Sequence, residues 1–322
     1  MSVMTSTPVV ARGSVASRLI KAEMLKIRTT SAWWIFGLFS LGTTALFLTG
    51  NIFGAANQLS NAEMMRNQPM PDFGPPPGSG EPGPPPEQLE QWRQEYLNSI
   101  DVGRIVTESA ASIFTSGQFL GLMLMAVLGA VLVTNEYHHQ TATTTFLATP
   151  HRTRVILAKY AGALILATCF WLASTLINVT AGSLFFSAKG YDIPLTDWPV
   201  LRSVLLNLLA YVIWVTFGTS FGILIRNQLG ATLTAAGAYL LGYAGYLGVA
   251  ALYAIFEADW VFRAVVLLPG LASLIMISPT PMNFGGPVGE EVPWWGGLIV
   301  LVAYGVVAGT VGTLIARKRD IS

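Results

Sequence analysis

The sequence predicts an all-α integral membrane protein of six transmembrane helices, and three observations lead to that class. Of its 322 residues, 52% are hydrophobic and only 11% charged, against roughly 25% charged residues in an ordinary soluble domain. The charges are clustered, so that long apolar runs carry none at all. Those runs reach the roughly 20 residues needed to cross a hydrocarbon core. They fall at 33–53, 112–134, 160–186, 204–225, 229–256 and 294–316, and none contains Asp, Glu, Lys or Arg.

Ahead of the first run, residues 14–28 place Ala16, Ile20, Met24 and Ile27 on one helical stripe, with Arg18, Lys21 and Arg28 opposite. An amphipathic basic helix beside a span lies along the inner leaflet, held by apolar burial and anionic headgroups. The first run starts too deep in the chain and is too long for a cleaved signal peptide, so it is expected to stay as a signal anchor. Residues 54–111 form a loop whose stretch 69–86 is dominated by Pro and Gly, a composition that favours extended backbone over a packed core. Helical spacing returns at 86–100, with Leu89, Trp92, Tyr96 and Leu97. This segment is expected to be either a plain spacer or a short helix over the outer mouth.

The loop at 135–159 is long and polar, while only Arg226, Asn227 and Gln228 separate the fourth and fifth runs, which predicts a tight helical hairpin. Apolar residues 264–277 are too few to span and are interrupted by Pro269-Gly270. Irregular backbone at membrane depth is tolerated where protein buries it, so residues 262–281 are expected to form a re-entrant hairpin before the last span. Short cytoplasmic loops retain Lys and Arg. With both termini cytoplasmic, that face collects Arg12, Arg18, Lys21, Lys26, Arg28, Arg152, Arg154, Lys159, Arg226, Arg317, Lys318 and Arg319.

Several chemistries lack their residues. The spans hold none of the ionisable groups that carry coupling charge in proton- or ion-driven carriers. GxxxxGK[ST], HExxH and GxSxG are missing, and the histidines are His138, His139 and His151, so phosphate-loop, zinc-hydrolase and nucleophile-elbow chemistry find no motif. Cys169 is the single cysteine, which excludes an intrachain disulfide. Net charge is +1, with no basic patch suited to nucleic acid. No cofactor or metal is expected on this chain. What remains is the 135–159 loop, large enough to dock a soluble partner, with a short helix expected at 141–147. Neutral or amphipathic residues within the spans, Phe119, Asn178, Asn207, Tyr211, Trp214 and Phe217, are candidates for a pathway.

Glu136-Tyr137 after the second span, a Thr-rich run, Phe146-Leu147-Ala148-Thr149-Pro150, the basic pair Arg152 and Arg154, and Lys159 opening the third span together resemble the permease subunits of ABC-2-type exporters. Residues 23–29, Glu-Met-Leu-Lys-Ile-Arg-Thr, followed by Trp33-Trp34, are similar to that family's N-terminal connecting helix. His139 and Gln140 stand where many relatives have Gly. The resemblance implies a dimer of six-span permeases, with a second copy or a related chain; the Pro-, Ala- and Gly-rich composition, without organelle targeting, leads to the expectation of a bacterial plasma membrane. It implies two copies of a separate ATP-binding-cassette ATPase, which would hold ATP and Mg, on the cytoplasmic side. It further implies that Glu136, Tyr137, Thr141, Phe146, Pro150, Arg152 and Arg154, with Glu23 and Lys26, form the ATPase docking surface. The cargo expected is hydrophobic or amphipathic: a drug, a lipid or a peptide, as in multidrug efflux. The competing reading is a non-transport scaffold or assembly factor that binds a partner through its long outer loop.

Overall fold

The computed structural model describes residues 15–74, 84–139, 152–256, 261, 264–282 and 291–318. Its elements in chain order are α1 (Val15–Thr29), α2 (Ala32–Arg66), α3 (Pro86–Ile100), α4 (Val102–Phe114), α5 (Gln118–His138), α6 (Arg152–Lys189), α7 (Trp198–Ile225), α8 (Gln228–Phe256), α9 (Pro269–Ile277) and α10 (Trp294–Lys318). Two 3-10 turns, Pro194–Thr196 and Ala264–Leu267, precede α7 and α9. Among the described residues there is no strand, only one antiparallel bridge between Met282 and Val292. Six helices are long and apolar enough to cross a membrane, counting α4 and α5 as one: Ala32–Arg66, Val102–His138, Thr153–Lys189, Trp198–Ile225, Gln228–Phe256 and Trp294–Ile315.

Around the centre of the bundle, α5 packs on α7, and α6, α8 and α10 close on that pair. Small residues set the distance. A methyl group added at Gly218 of α7 would overlap the carbonyl oxygen of Ala126 on α5, and one at Gly129 would lie 2.5 Å from the carbonyl oxygen of Val215. Backbones that approach this closely are the usual means of helix association where lipid offers no hydrophobic drive. The same device seats α9, because a methyl group at Gly242 of α8 would meet the amide nitrogen of Gly270 at 2.5 Å. On its other side, a methyl at Gly297 of α10 would meet the carbonyl oxygen of Ala272, also at 2.5 Å. Leu271, Ala272, Ile275 and Met276 of α9 are buried.

The first span, α2, runs past the predicted end at residue 53 to Arg66, and the extension is amphipathic rather than apolar. Ala55, Leu59 and Ala62, at helical spacing, are buried, and Leu59 and Ala62 pack with Ile105 of α4. Glu63 accepts a hydrogen bond from the Tyr191 hydroxyl at 2.6 Å. Much of the predicted 54–111 loop is therefore helical, and its segment 75–83 lies outside the described residues. The α7–α8 turn is as tight as the sequence suggests. Arg226 ends α7 in the left-handed region at φ 52°, and the Asn227 carboxamide oxygen accepts from the Gly230 amide at 2.8 Å to cap α8.

One departure is internal to a predicted span. The helix expected to begin at residue 112 is already formed at 102, and it breaks between Phe114 and Gln118. Gly117 takes φ +82°, and a methyl group there would lie 2.5 Å from the Thr44 hydroxyl, so glycine meets both the backbone and the space requirement. A break at depth exposes carbonyls that need partners. The Asn51 amide donates to the Ser112 carbonyl and the Ser116 hydroxyl, both at 2.9 Å. The Asn178 amide donates to the carbonyls of Phe114 at 3.4 Å and Ser116 at 3.0 Å. Asn178→Leu is expected to lower stability by about 1–3 kcal/mol, the cost of leaving buried acceptors unpaired. Thermal unfolding of the purified chain measures it, and an unchanged midpoint would mean that another group caps the break.

Candidate functional site

Sequence reasoning singles out the segment around the 135–159 loop, and the two helices that flank it, α5 and α6, meet α1 there. Lys26 on α1 donates from Nζ to Glu23 Oε1 at 2.9 Å and to Glu136 Oε1 at 2.8 Å. Lys159 on α6 pairs with the same Glu136 oxygen at 2.5 Å and with Glu23 Oε2 at 3.6 Å. Two carboxylates and two ammonium groups thus form a neutral quartet bridging three helices. Its members differ in exposure: the Glu136 and Lys159 side chains are each 8% exposed, Glu23 11% and Lys26 39%. Burial acts to lower the Lys26 pKa, but hydrogen bonds to Glu136 and Glu23, with their charges, outweigh it and hold the group above its ordinary value. Lys26 is therefore a stable cation at physiological pH.

Neighbouring residues extend the junction. Asn135 accepts a hydrogen bond from Gln228 at the start of α8, at 3.2 Å, and the Arg226 guanidinium lies 5.7 Å from the centre of the Tyr137 ring. Consecutive side chains 135, 136 and 137 at the end of α5 are thereby tied to α8, to α1 and α6, and to the α7–α8 turn. A cavity of about 250 Å³ lies beside the quartet, lined by Lys26, Glu136, Lys159, His139, Thr30 and Thr219 among others. The α1 helix seats on α6, where Ile27 and Glu23 pack over Gly162.

This geometry divides the predicted docking residues. Arg154 is exposed on the first turn of α6, and Tyr137 is half-buried under Arg226. Glu136 and Glu23 are turned inward and engaged by lysines, so a carboxylate surface presented to a partner is replaced by an internal ion cluster. Lys26 is partly exposed but also faces the cluster. Thr141, Phe146 and Pro150 lie outside the described residues, as does the short helix expected at 141–147, and for Arg152 only its place at the start of α6 is described. Lys159 is not among the sequence candidates for the site, because in the sequence it reads as one more basic residue at a membrane boundary. Its distinguishing signal is its position seven residues into the helix, where a cation requires a buried partner.

The pathway candidates fare differently. Asn178 serves the α4–α5 break. Asn207 donates to Gln118 Oε1 at 2.6 Å, Gln118 donates to the Ser273 carbonyl at 3.2 Å, and Trp214 Nε1 donates to the Ser273 hydroxyl at 2.8 Å. These groups are buried and join α5, α7 and α9. Tyr211 is fully buried, and Phe217 stacks on Phe221 and packs at a tilt of 39° against Trp214. Phe119 instead lines a larger cavity at the end of the bundle remote from α1. Gln118 is not among the sequence candidates, although an amide inside an apolar run is itself a signal.

A family model matches residues 95–322, from within α3 to the last residue. The chain belongs to DUF2705, a family of proteins of unknown function. No curated protein matches it significantly. The region shared with DUF2705 contains Glu136, Lys159 and the α4–α5 break, whereas α1 with Glu23 and Lys26 precedes it.

Proposed function

We propose that this DUF2705 chain is the membrane-spanning permease subunit of an ATP-driven exporter, powered by a separate ATP-binding-cassette ATPase and moving a hydrophobic or amphipathic cargo outward. In this reading both termini face the cytoplasm of a bacterial plasma membrane, α1 is the interfacial connecting helix, and α9 is the inner limb of a re-entrant hairpin. The basic residues gathered at the α1 end support the orientation. A dimer of permeases carries two ATPase copies, and hydrolysis belongs to them.

The observation that carries the reading is the junction at the end of α5. The loop that would receive the ATPase begins directly after three side chains that grip α1, α6, α8 and the α7–α8 turn. Displacing that loop therefore displaces the bundle, as coupling between a motor and a pathway requires. ATP binding would favour one of two arrangements only through differential contacts at this junction.

The test is gentle detergent purification of the tagged full chain from its native host. Recovery of an ATP-binding-cassette subunit in equal amount, with ATP hydrolysis, is the expected result. Arg154→Glu, at an exposed position, is expected to cut ATPase recovery about tenfold while helix content stays unchanged, consistent with losing one charged contact at an interface. A chain recovered without any ATPase would favour the scaffold reading. That reading draws on the exposed Leu89, Trp92 and Leu97 of α3.

A further inference from the structure

The cavity at the end of the bundle remote from α1 has about 490 Å³ of space, a size suited to a small organic ligand. Its apolar side is formed by Phe47, Phe119, Tyr243, Leu274, Ile277 and Met282, and its polar side by residues of the α4–α5 break with Asn51, Glu108 and Thr280. Three of the rings are set at angles to one another. Phe119 meets Tyr243 edge-on at 4.9 Å and 80°, and Phe47 lies 6.3 Å from Phe119 at 53°. Phe119 is 36% exposed although it sits within the bundle. The faces of aromatic rings attract cations, and three rings line this one volume.

Among the described lining residues, Glu108 is the one acidic side chain, and no Lys, Arg or His accompanies it. Glu108 Oε1 accepts from Arg104 Nε at 2.8 Å and from the Thr280 hydroxyl at 3.0 Å. The Arg104–Glu108 pair is one turn apart on α4, with both side chains 37% exposed. Such pairs are weak and exchange readily, so a ligand's positive group can replace Arg104 on the carboxylate without leaving a buried charge behind. The start of α5 also opens here and its dipole, about half a charge, favours negative charge; the carboxylate outweighs it once Arg104 has turned to solvent.

We propose that this cavity binds an amphipathic organic cation, with its charge between Glu108 and the Phe119 ring and its apolar body against Tyr243, Leu274 and Ile277. The assignment of that cation as cargo rests on the exporter reading; the binding itself does not.

The test uses the full-length chain in zwitterionic nanodiscs, with Cys169→Ala and a thiol introduced on the cavity wall by Ser112→Cys. Tetraphenylphosphonium and tetraphenylborate are matched in size and opposite in charge. Tetraphenylphosphonium is expected to slow maleimide labelling of the introduced thiol saturably, and tetraphenylborate is not. Glu108→Gln and Phe119→Ala are each expected to raise the half-protecting concentration about tenfold. No protection, equal protection by both ions, or protection that neither substitution weakens would overturn the site. Because neither ATP nor a partner is present, the two proposals fail separately. Protection without any co-purifying ATPase leaves a binding site and removes the exporter, while an ATPase without protection does the reverse.

Discussion

Leucine in place of Gly218 is expected to lower the thermal unfolding midpoint of the purified chain by roughly 10 °C or more, or to prevent its recovery from the membrane. The reason is backbone contact. Even the first carbon of a side chain at this position would overlap the Ala126 carbonyl, with the α carbon of Ala126 at 2.9 Å. No flexible side-chain end is available to move aside, so α5 and α7 must separate along their length. That separation opens the contacts made nearby by Gly129 and Gly222, where methyl groups would meet Val215 and Ala130 backbone oxygens at 2.5 and 2.8 Å. Gly237→Leu is the control, since nothing lies within 4 Å of a methyl group added there. If the Gly218 variant melted with the control, α5 and α7 would have to be held apart by side chains, contrary to the packing described.

That contact also marks a limit of what the chain announces about itself. The six long helices could be anticipated because apolar runs of about 20 residues have few other uses, and the α7–α8 turn because three polar residues interrupt two such runs. The extension of α2 to Arg66 was harder to see. Its buried Ala55, Leu59 and Ala62 form a narrow stripe among polar residues, and the stripe has meaning only once α4 is present to cover it. The break before Gln118 has no proline to mark it. Gly117 is one small residue among several, and its left-handed backbone becomes necessary only because Thr44 of α2 and Asn178 of α6 meet it. Asn178 and Asn207 stood out as polar residues within spans, but choosing between pathway and packing roles required knowing which carbonyls and amides faced them. The ion quartet was least legible. Lys26 and Glu136 are 110 residues apart, and no local spacing pairs them.

Removing the Lys159 charge is expected to have the largest effect at the candidate docking junction. Lys159→Met leaves Glu136 buried with Lys26 at 2.8 Å as its remaining lysine partner within the quartet, so the loss is expected to fall below the roughly 3–5 kcal/mol of a buried charge left without compensation. Lys26→Met should cost less, because its side chain is 39% exposed and Lys159 remains on Glu136. A double substitution, Glu136→Leu with Lys159→Met, removes the charge together with its partner, and apolar replacement of a buried pair is often neutral. Its loss should therefore fall short of the sum of the single losses, by about 0.5–3 kcal/mol for residues in contact. Thermal unfolding of wild type, Lys159→Met, Glu136→Leu and the double variant gives the cycle. Strict additivity would mean that Lys159 and Glu136 do not share a site. If the coupling is present and the double variant still folds, the same protein separates two roles for the quartet. Retained ATPase association with lost stimulation of hydrolysis would place the ion pair in transmitting motion from the loop. Lost association would place it in shaping the docking surface, through the α5 end that carries Tyr137 toward Arg226.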